Sequence, residues 1–496
     1  GWDLVRALKA SSNFAACAAA LALPALILAL GSGEGVLEML AAHGKGSGAF
    51  WDWWAIEDLQ PGRTASWYPD QFFFWWRASR TTPDTIVEFP FFSFLLGDLH
   101  PHLMAIPFGL CAIGVALHRL AAPIPVRGKL AIAEFLATAL FLGSLAWINP
   151  WDLPTFGALV LAATGMRLAR DNEFRPSRFA LHSVALIVLA VVAFLPFYVS
   201  FRSQASGLLP DRSEGTRPAI AALLWLPFVV ATIGLLFAPG VRRRSLVTVF
   251  ALTPLLVVVA WSLGLFAWEG PAELRMLMAD RGSAWFTAIG FLLLSGLLSV
   301  LAVHLTRGEN PSRALPAVAG AIGALLLAGA ELFYIRDVFD NRMNTVFKLS
   351  YQAWPLFAVA AIGGIMTLAS RVSAGGAARV VGIGVLAVFG LGLAAGGTYT
   401  VTASMNRTDA FGREQTLDGL DYLRKSAPGE YAVVQWLASA GADTRIVEAN
   451  GHDYSPSGRV ASRTGLQSVI GWVGHELQWR GTTSPYEGRF EDVETI

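Results

Sequence analysis

Residues 218–238 read PAIAALLWLPFVVATIGLLFA, a stretch of 21 residues that contains no charged side chain. About 20 apolar residues in an α-helix cross a hydrocarbon core that is roughly 30 Å thick. Similar apolar segments recur along the chain, and we predict one helix in each. We count about eleven such segments: 13–31, 103–121, 130–148, 154–170, 179–199, 218–238, 246–267, 285–305, 314–335, 351–370 and 380–403. The sequence therefore predicts an α-helical polytopic membrane protein.

The composition agrees with this prediction. Apolar residues make up 54% of the chain and charged residues only 15%, whereas soluble proteins carry about 25% charged residues. The net charge of +1 and the lack of a basic arm in the sequence argue against a nucleic-acid partner. Cys17 and Cys111 both lie in apolar segments, so no disulfide framework is indicated. Because the chain opens at Gly1 without a signal-peptide pattern, we expect that an N-terminal portion precedes it.

The distribution of basic residues predicts the orientation of the spans. One set of segments between the spans is rich in arginine and lysine, and such loops face the cytoplasm. Its basic residues are Arg6, Lys9, Arg119, Arg127, Lys129, Arg167, Arg170, Arg175, Arg178, Arg242, Arg243, Arg244, Arg307, Arg313, Arg371 and Arg379. The alternate set is acidic or balanced, and we expect it on the outer face of the plasma membrane: 32–102, 149–155, 200–217, 268–284, 336–350 and the tail after 404.

These patterns divide the chain into two domains. Residues 1–403 form a transmembrane helical domain, whose outer loop 32–102 is too long for a simple connection. Charged residues return after 404, and we predict that 404–496 form a small α/β domain on the outer face, incomplete at its end. The predicted elements of this domain are two helices, around Leu417–Leu423 and Val433–Leu437, and two short strands, at 445–449 and 468–472.

The outer loop contains an aromatic segment at 70–80, with the run Phe72-Phe-Phe-Trp-Trp76. Aromatic side chains are enriched at the membrane–water interface. We therefore predict a short interfacial element that lies flat on the outer leaflet, or an aromatic belt without another role. Arg77 and Arg80 follow at a spacing that puts them on one helical face. They either bind a phosphate or pair with Asp70 and Asp84.

The densest group of ionisable residues is the stretch Glu88-Phe-Pro-Phe-Phe-Ser-Phe-Leu-Leu-Gly-Asp-Leu-His-Pro-His102. It contains Glu88, Asp98, His100 and His102 directly before an apolar segment, where unpaired ionisable groups are costly. Three alternatives remain open for it. Asp98, His100 and His102 alternate, so in an extended chain they can share a divalent metal. They can also serve metal-free acid–base catalysis or substrate contact, or they form a polar cap where Pro101 begins the next helix.

Two further stretches carry polar residues at predicted outer helix ends. In the first, Asn149 and Asp152 either cap the following helix or add a carboxylate to the cavity that contains Asp98. In the second, Arg342, Asn344 and Lys348 are placed to bind a lipid phosphate at headgroup depth. The alternative for Lys348 is a side chain that extends along the bundle to reach water.

The predicted outer tail combines acids, an imidazole, indoles and guanidinium groups. Its main features are Glu448 and the run Gly471-Trp-Val-Gly-His-Glu-Leu-Gln-Trp-Arg480, which contains His475, Glu476 and Arg480. Aromatic faces and carboxylates together are typical of sugar binding. The alternative is an ordinary solvated surface.

Four motifs taken together resemble a known family. They are Glu-Phe-Pro-Phe-Phe-Ser-Phe with Gly-Asp-Leu-His-Pro-His, then Asn-Pro-Trp-Asp-Leu-Pro-Thr, Arg-Met-Asn-Thr-Val-Phe-Lys and Gly-Trp-Val-Gly-His-Glu-Leu-Gln-Trp-Arg. The chain resembles the uncharacterised "YYY" family of integral membrane proteins, which is grouped by fold with the GT-C glycosyltransferases. Members usually carry an upstream Tyr-Tyr-Tyr motif, which this chain does not contain; if the catalytic acid lies there, Asp98 is a supporting residue.

The resemblance implies a GT-C-like glycosyltransferase that moves a sugar from a polyprenyl-phosphate donor to an acceptor on the outer face. Asp98 or Glu88 would deprotonate the acceptor, with His100 and His102 orienting it, and Arg342 and Lys348 would hold the donor phosphate. The expected partners are membrane lipid and this donor. The alternative is a non-catalytic subunit that has partners in a larger membrane complex. A transporter is less favoured, since the polar residues crowd one predicted face rather than the middle of the membrane.

Overall fold

The computed structural model describes residues 13–71, 73–125, 127–238, 243–372, 376–412, 414–441 and 443–496. The predicted lead 1–12 with Arg6 and Lys9, as well as Phe72 and Arg242, lies outside the described residues, as do the side chains of Arg243, Arg244 and Arg371. The chain forms two compact units. The first comprises the described residues of Gly1–Ser200, Leu208–Ile335 and Asn341–Ala410, and the second those of Phe201–Gly207, Arg336–Asp340 and Phe411–Ile496.

The first unit is almost entirely helical. Its α-helices, in chain order, are α1 (Asn13–Leu28), α2 (Glu34–Ala42), α3 (Gly48–Trp54), α4 (Pro90–Leu96), α5 (Pro101–Ala121), α6 (Gly128–Ile148), α7 (Asp152–Arg170), α8 (Pro176–Ala193), α9 (Leu195–Ser200), α10 (Pro218–Ile233), α11 (Arg243–Glu269), α12 (Pro271–Asp280), α13 (Ala284–Thr306), α14 (Leu315–Leu332), α15 (Met343–Val372) and α16 (Gly376–Thr408). Short 3₁₀ helices cover Phe74–Ser79, Gly234–Phe237 and Pro311–Ala314.

Eight helices within the described residues are long and apolar enough to cross a membrane. They are Pro101–Ala121, Gly128–Ile148, Pro176–Ala193, Pro218–Phe237, Ala284–Thr306, Pro311–Leu332, Met343–Ser370 and Arg379–Thr408. The other three predicted segments, 13–31, 154–170 and 246–267, coincide with α1, α7 and α11. The chain is therefore a mostly helical, multi-pass membrane protein, as its apolar segments predict.

Helices α14 and α15 form the centre of the bundle. In their most apolar windows, 78% and 72% of the residues are buried, compared with 11% in α8 and 17% in α16. Small residues allow this packing, since they let helix backbones approach closely. A Cβ atom added at Gly320 would lie 3.0 Å from the Ala360 side chain, and one at Gly364 would lie 1.9 Å from the Ala231 carbonyl oxygen.

A short antiparallel pair of strands joins two segments that are far apart in sequence. Strand β1 (Leu208–Pro210) pairs with β2 (Phe333–Ile335), with Leu209 opposite Tyr334. The Asp211 amide continues this contact by donating to the Leu332 carbonyl, at 2.8 Å. Residues 208–211 of the predicted outer segment are therefore held against the end of α14.

The aromatic segment at 70–80 does not form the predicted belt. Its 3₁₀ helix Phe74–Ser79 buries Phe74 and Trp75 completely in the core. The Tyr399 hydroxyl donates to the Trp75 carbonyl at 2.8 Å and ties the segment to α16. Burial of aromatic surface in the core competes with placement at the membrane interface, and here the core contacts prevail.

The second unit contains short elements. Its helices are α17 (Asp421–Ser426), α18 (Pro428–Ala438), α19 (Arg459–Thr464), α20 (Val473–Arg480) and α21 (Arg489–Thr495), with a 3₁₀ helix at Ser484–Tyr486. Strand β3 (Arg445–Ile446) pairs in parallel with β4 (Gln467–Ser468). Leu423 and Val434 are fully buried between these elements. Strand β3 covers the first two residues of the predicted strand 445–449, and β4 overlaps the predicted strand 468–472 only at Ser468.

Candidate functional site

Buried aromatic residues anchor the stretch from Glu88 to His102. Phe89 and Phe92 are fully buried, and the Phe89 ring stacks on Trp354 of α15 with 5.7 Å between centroids. Pro90 occupies the first turn of α4, and Gly97 ends that helix with a φ of 79°, a value that glycine adopts without strain. The chain then turns into α5 at Pro101. This path holds the ionisable residues of the stretch against the start of α15.

Glu88 is buried within a chain of hydroxyl groups. The Ser93 hydroxyl donates to Glu88 Oε2 at 3.2 Å and also contacts the Tyr351 hydroxyl of α15. Because serine has a single hydroxyl proton, Tyr351 is the donor in the second contact. Burial raises the pKa of Glu88 to about 7, although the nearby Arg80 guanidinium and the Ser93 bond oppose the rise. This carboxyl group therefore changes its charge near neutral pH.

The two histidines form a pair with defined tautomers. His100 Nδ1 accepts from the His102 amide at 3.4 Å and lies 3.2 Å from His102 Nδ1. His100 Nδ1 is therefore unprotonated, and His102 Nδ1 carries the proton of the pair. Burial lowers the pKa of His100, and Lys348 lowers it further, while the carboxylate of Asp98 acts in the opposite direction. The His100 ring is consequently neutral at neutral pH.

A small cavity lies between α5, α7 and α15. Its polar lining consists of His102, Asp152, Tyr351 and Gln352, and its volume is about 10 Å³, close to the space that one water molecule needs. His102 Nε2 is buried and has no hydrogen-bond partner among the described residues. Asp152 Oδ1 accepts from Asn149 Nδ2 at 2.9 Å and from Gln352 Nε2 at 3.1 Å. The predicted helix cap is not formed, because Trp151 is the N-cap of α7 and no side chain caps it. Asp152 instead lies in the first turn of α7 and lines this cavity, which Asp98 does not line.

Lys348 places a cation beside the histidines. Its ammonium group lies 4.6 Å from the centre of the Trp151 ring, and its charge acts on His100. Asn344, one turn earlier on α15, and Tyr351, one turn later, share a helical face with Lys348. We call Asp98, His100, His102 and Lys348 the acid–histidine cluster. It unites two sequence motifs that are far apart in the chain, one that ends at His102 and one that contains Lys348.

The metal alternative finds no support in the arrangement of side chains. Among the residues that the structure describes, no three His, Cys, Asp or Glu side chains are grouped as a metal ion requires. His100 Nδ1 and His102 Nδ1 face one another and are thereby occupied. Acid–base chemistry and substrate contact stay predictions for this site.

Arg342 does not lie beside Lys348. The side chain of Arg342 is 3% exposed and pairs with Glu331 Oε2 at 3.1 Å. Asp211 and Arg281, which are paired at 2.8 Å, complete a buried group of two acids and two arginines, and we call these four residues the ion cluster. This burial and pairing of the guanidinium group do not favour the predicted contact of Arg342 with a donor phosphate. The cavity that Asp152 lines includes neither Asp98 nor Arg342, so the three predicted residues do not share it.

Arg77 and Arg80 also have partners other than the predicted ones. Arg77 binds Glu38 through two bonds, of 2.6 Å and 3.1 Å, rather than Asp70 or Asp84. Arg80 donates to the Ser79 hydroxyl at 2.6 Å and its guanidinium lies 4.8 Å from the Trp76 ring. Arg77 therefore serves the fold, whereas Arg80 contributes its charge to the surroundings of Glu88.

Glu34 is a buried acid that the sequence analysis missed. It lies in α2 one turn before Glu38, is fully buried, and neither carboxyl oxygen has a hydrogen-bond partner among the described residues. Burial raises the pKa of Glu34 well above its ordinary value, and the neighbouring Glu38 carboxylate adds to the rise. Two acids at i,i+4 directly after an apolar segment are the signal that could have revealed this pair.

The second unit uses most of its predicted polar residues internally. Glu448 accepts from the amides of Val460 and Ala461, at 2.9 Å and 2.7 Å, and so caps α19. Glu476 and Arg480 form an i,i+4 pair. The His475 ring packs against Tyr454 and Trp472, with centroids 5.1 Å and 5.0 Å away. This aromatic group, in which Tyr454 is 81% exposed, retains the character of a sugar-binding surface.

Three residues beside the acid–histidine cluster were also missed by sequence reasoning: Ser93, Tyr351 and Gln352. Tyr351 and Gln352 follow Lys348 by three and four residues, the spacing that puts side chains on one helical face. That spacing was a usable signal. The contact of Tyr351 with Ser93 spans 258 residues, and no local sequence pattern indicates it.

Comparison with known proteins places the chain in a family. Residues 2–357 match the family described as "Uncharacterized membrane protein (DUF2298)", and the chain belongs to it. No curated protein and no solved structure matches the chain.

Proposed function

We propose that this protein is a GT-C-like membrane glycosyltransferase, which moves a sugar from a polyprenyl-phosphate donor to an acceptor on the outer face of the plasma membrane. The observation that carries the proposal is the acid–histidine cluster. It combines a partly exposed carboxylate, a neutral imidazole and an ammonium group at one end of an apolar bundle. A lipid-linked substrate presents its phosphate at that depth and its chain to the apolar helices.

Lys348 is the proposed contact for the donor phosphate. It lies in the second turn of α15, on the face that carries Asn344 and Tyr351. An ammonium group stabilises the negative charge that develops on a leaving phosphate, and Asn344 adds an amide donor on the same helical face. Arg342 has no part in this role, because the ion cluster encloses it.

Asp98 is the proposed base. The acceptor oxygen forms a bond to the anomeric carbon, and its proton passes to the Asp98 carboxylate. The bond between that carbon and the phosphate oxygen breaks, and the polyprenyl phosphate leaves with the electron pair. His100 interacts electrostatically with Asp98 and orients its carboxylate. Glu88 holds Ser93 and Tyr351 in place behind it.

Several contacts support a common side for the segments that we assign to the outer face. Arg217 donates to the Trp53 carbonyl at 2.6 Å and joins 200–217 to the long loop. Arg281 of the segment 268–284 binds Asp211 of the segment 200–217. The basic segments contact one another in turn, since Arg167 donates to the Leu120 carbonyl at 2.9 Å. About eleven spans and an outer tail domain remain part of this proposal, with Tyr454, Trp472 and His475 as its sugar-binding surface.

The test is a transfer assay with purified protein in detergent. Polyprenyl-phosphate sugars with a radioactive sugar serve as donors, and release of the sugar to an acceptor or to water is measured. We compare the wild type with Asp98→Asn and with Asp84→Asn. Asp84 is an exposed acid of the same loop and is the matched control. We expect turnover in the wild type and in Asp84→Asn, and its loss in Asp98→Asn.

Full turnover in Asp98→Asn would exclude Asp98 as the base and transfer that role to Glu88. A wild-type protein that is folded but inactive with every donor would contradict the enzymatic proposal and favour the non-catalytic subunit. Co-purification of partner proteins from the native membrane then tests that alternative directly.

A further inference from the structure

An apolar groove lies at the end of the bundle that carries the last turns of α7 and α13. Its volume is about 380 Å³, and its walls include Leu161, Ala162, Met166, Phe179 and Val303. This volume is in the range of small-molecule sites, about 300–1,000 Å³. Val303 is 44% exposed, so the groove opens toward the side of the bundle.

Two arginines stand at the end of this groove. Arg170 is the last residue of α7, Arg307 directly follows α13, and both line the groove. The contacts of the described residues assign neither guanidinium group a hydrogen bond or an ion pair. Arg167, one turn earlier, differs, because it pairs with Asp171 at 2.7 Å. Two unneutralised guanidinium groups beside an apolar groove call for an anionic ligand with an apolar part.

We propose that this groove binds an anionic phospholipid. Its phosphate lies between Arg170 and Arg307, and an acyl chain lies along Leu161, Ala162, Met166 and Val303. Basic pockets between membrane helices are known sites for anionic headgroups. Arg307 directly follows α13, which is long and apolar enough to cross a membrane, and Arg170 is the last residue of α7.

This lipid site is separate from the acid–histidine cluster. His102 of the cluster shares a small cavity with Asp152, which begins α7, whereas Arg170 ends α7. These two ends of α7 are about 27 Å apart, at 1.5 Å per residue. The proposal therefore does not depend on the transferase activity. A free phosphate ion would use the two arginines but not the apolar walls, and this difference defines the test.

The experiment measures lipid retention by native mass spectrometry of the detergent-purified protein. The probes are dioleoyl phosphatidylglycerol, dioleoyl phosphatidylcholine and inorganic phosphate. The variants are Arg170→Ala/Arg307→Ala and the matched control Arg178→Ala/Arg313→Ala, which removes two exposed arginines from the same two segments but outside the groove. A third variant, Ala162→Trp, fills the groove and leaves both arginines. Thermal unfolding of each variant is recorded in parallel.

We expect the wild type to retain phosphatidylglycerol in preference to phosphatidylcholine. The affinity of Arg170→Ala/Arg307→Ala for phosphatidylglycerol should fall roughly 30-fold, about five-fold for each arginine. The affinity of the control Arg178→Ala/Arg313→Ala should stay near that of the wild type. Ala162→Trp should lose the lipid as well.

Equal losses of phosphatidylglycerol affinity in Arg170→Ala/Arg307→Ala and in Arg178→Ala/Arg313→Ala would overturn the proposal in favour of a diffuse surface charge. Displacement of the lipid by inorganic phosphate, or unchanged lipid retention in a folded Ala162→Trp, would overturn it in favour of a free-anion site. Equal retention of the two lipids in the wild type would also contradict it.

Discussion

The acid–histidine cluster and the ion cluster use similar side chains but leave different groups open. In the ion cluster, Arg281 and Arg342 face Asp211 and Glu331, and all four side chains are 1–8% exposed. The Thr216 amide and hydroxyl add further bonds, of 2.8 Å and 3.2 Å. Two positive and two negative charges are paired inside the bundle, and of the two guanidinium groups the Nε atoms lack a hydrogen-bond partner among the described residues.

The acid–histidine cluster lacks this closure. His102 Nε2 has no partner among the described residues, while Asp98, His100 and Lys348 are only half-buried. A closed ionic group joins β1, α14 and the start of α15, whereas an open one has capacity to bind and to exchange protons. The comparison teaches that the composition of a polar motif does not reveal its role; the degree of closure does.

Loss of the proposed base should have the largest effect. Asp98→Asn keeps the shape of the side chain but removes its basicity, so we expect turnover to fall about 10²–10⁴-fold with donor affinity nearly unchanged. Sugar transfer and donor binding are measured on the same preparation. A parallel loss of donor binding would mean that Asp98 contacts the donor instead.

Opening the ion cluster should affect stability rather than chemistry. Arg281→Met leaves the buried Asp211 carboxylate without its closest cation, and we expect a loss of about 3–5 kcal/mol in the free energy of unfolding. The control is Arg336→Met, since Arg336 and its partner Asp340 are 48% and 49% exposed and such pairs contribute about 0–1 kcal/mol. Chemical denaturation in detergent measures both. Similar losses in the two variants would contradict the proposed difference between the clusters.

The pKa of Glu88 predicts a pH-dependent stability. Burial raises it from 4.5 to about 7, so the folded state retains a proton that the unfolded state has already lost. The stabilisation is complete below pH 4.5 and is lost as the pH rises through 7, a change on the order of 3 kcal/mol. Glu88→Gln should remove this dependence. Its free energy of unfolding should therefore rise relative to that of the wild type as the pH increases from 4.5 to 8. The measurement is the melting temperature of both proteins at each pH. If the two melting temperatures changed in parallel across this pH range, the raised pKa of Glu88 would be refuted.

The smallest expected effect is on donor affinity. Lys348→Gln removes the proposed phosphate contact, and hydrogen bonds to charged groups contribute about 1.5–3 kcal/mol, so we expect a loss of about 10- to 100-fold. Lys129→Gln is the matched control, because Lys129 is an exposed lysine in the first turn of α6, far from the cluster in sequence. Equal donor affinities in the wild type and in Lys348→Gln would show that Lys348 does not contact the donor phosphate.

Much of the candidate site was predictable because its residues are close in sequence. Asp98, His100 and His102 alternate next to Pro101, and Asn149 and Asp152 flank the start of α7. The surroundings of Arg342 could not be predicted, because its partners Asp211 and Glu331 come from two other segments. Trp75 was misassigned for a related reason, since an exposed aromatic belt and a buried core residue have the same local sequence.

The sequence by itself determined the class of this protein. Apolar segments of about 20 residues can only be accommodated as helices in a bilayer, and that requirement is local. Tertiary structure alone decided which polar groups are closed and which are open. The contacts of Tyr351 with Ser93 and of Arg342 with Glu331 depend on helix packing over long sequence distances, and burial in that packing controls the charge of Glu88. Pairing and desolvation are properties of the folded bundle, so no single stretch of the chain contains them.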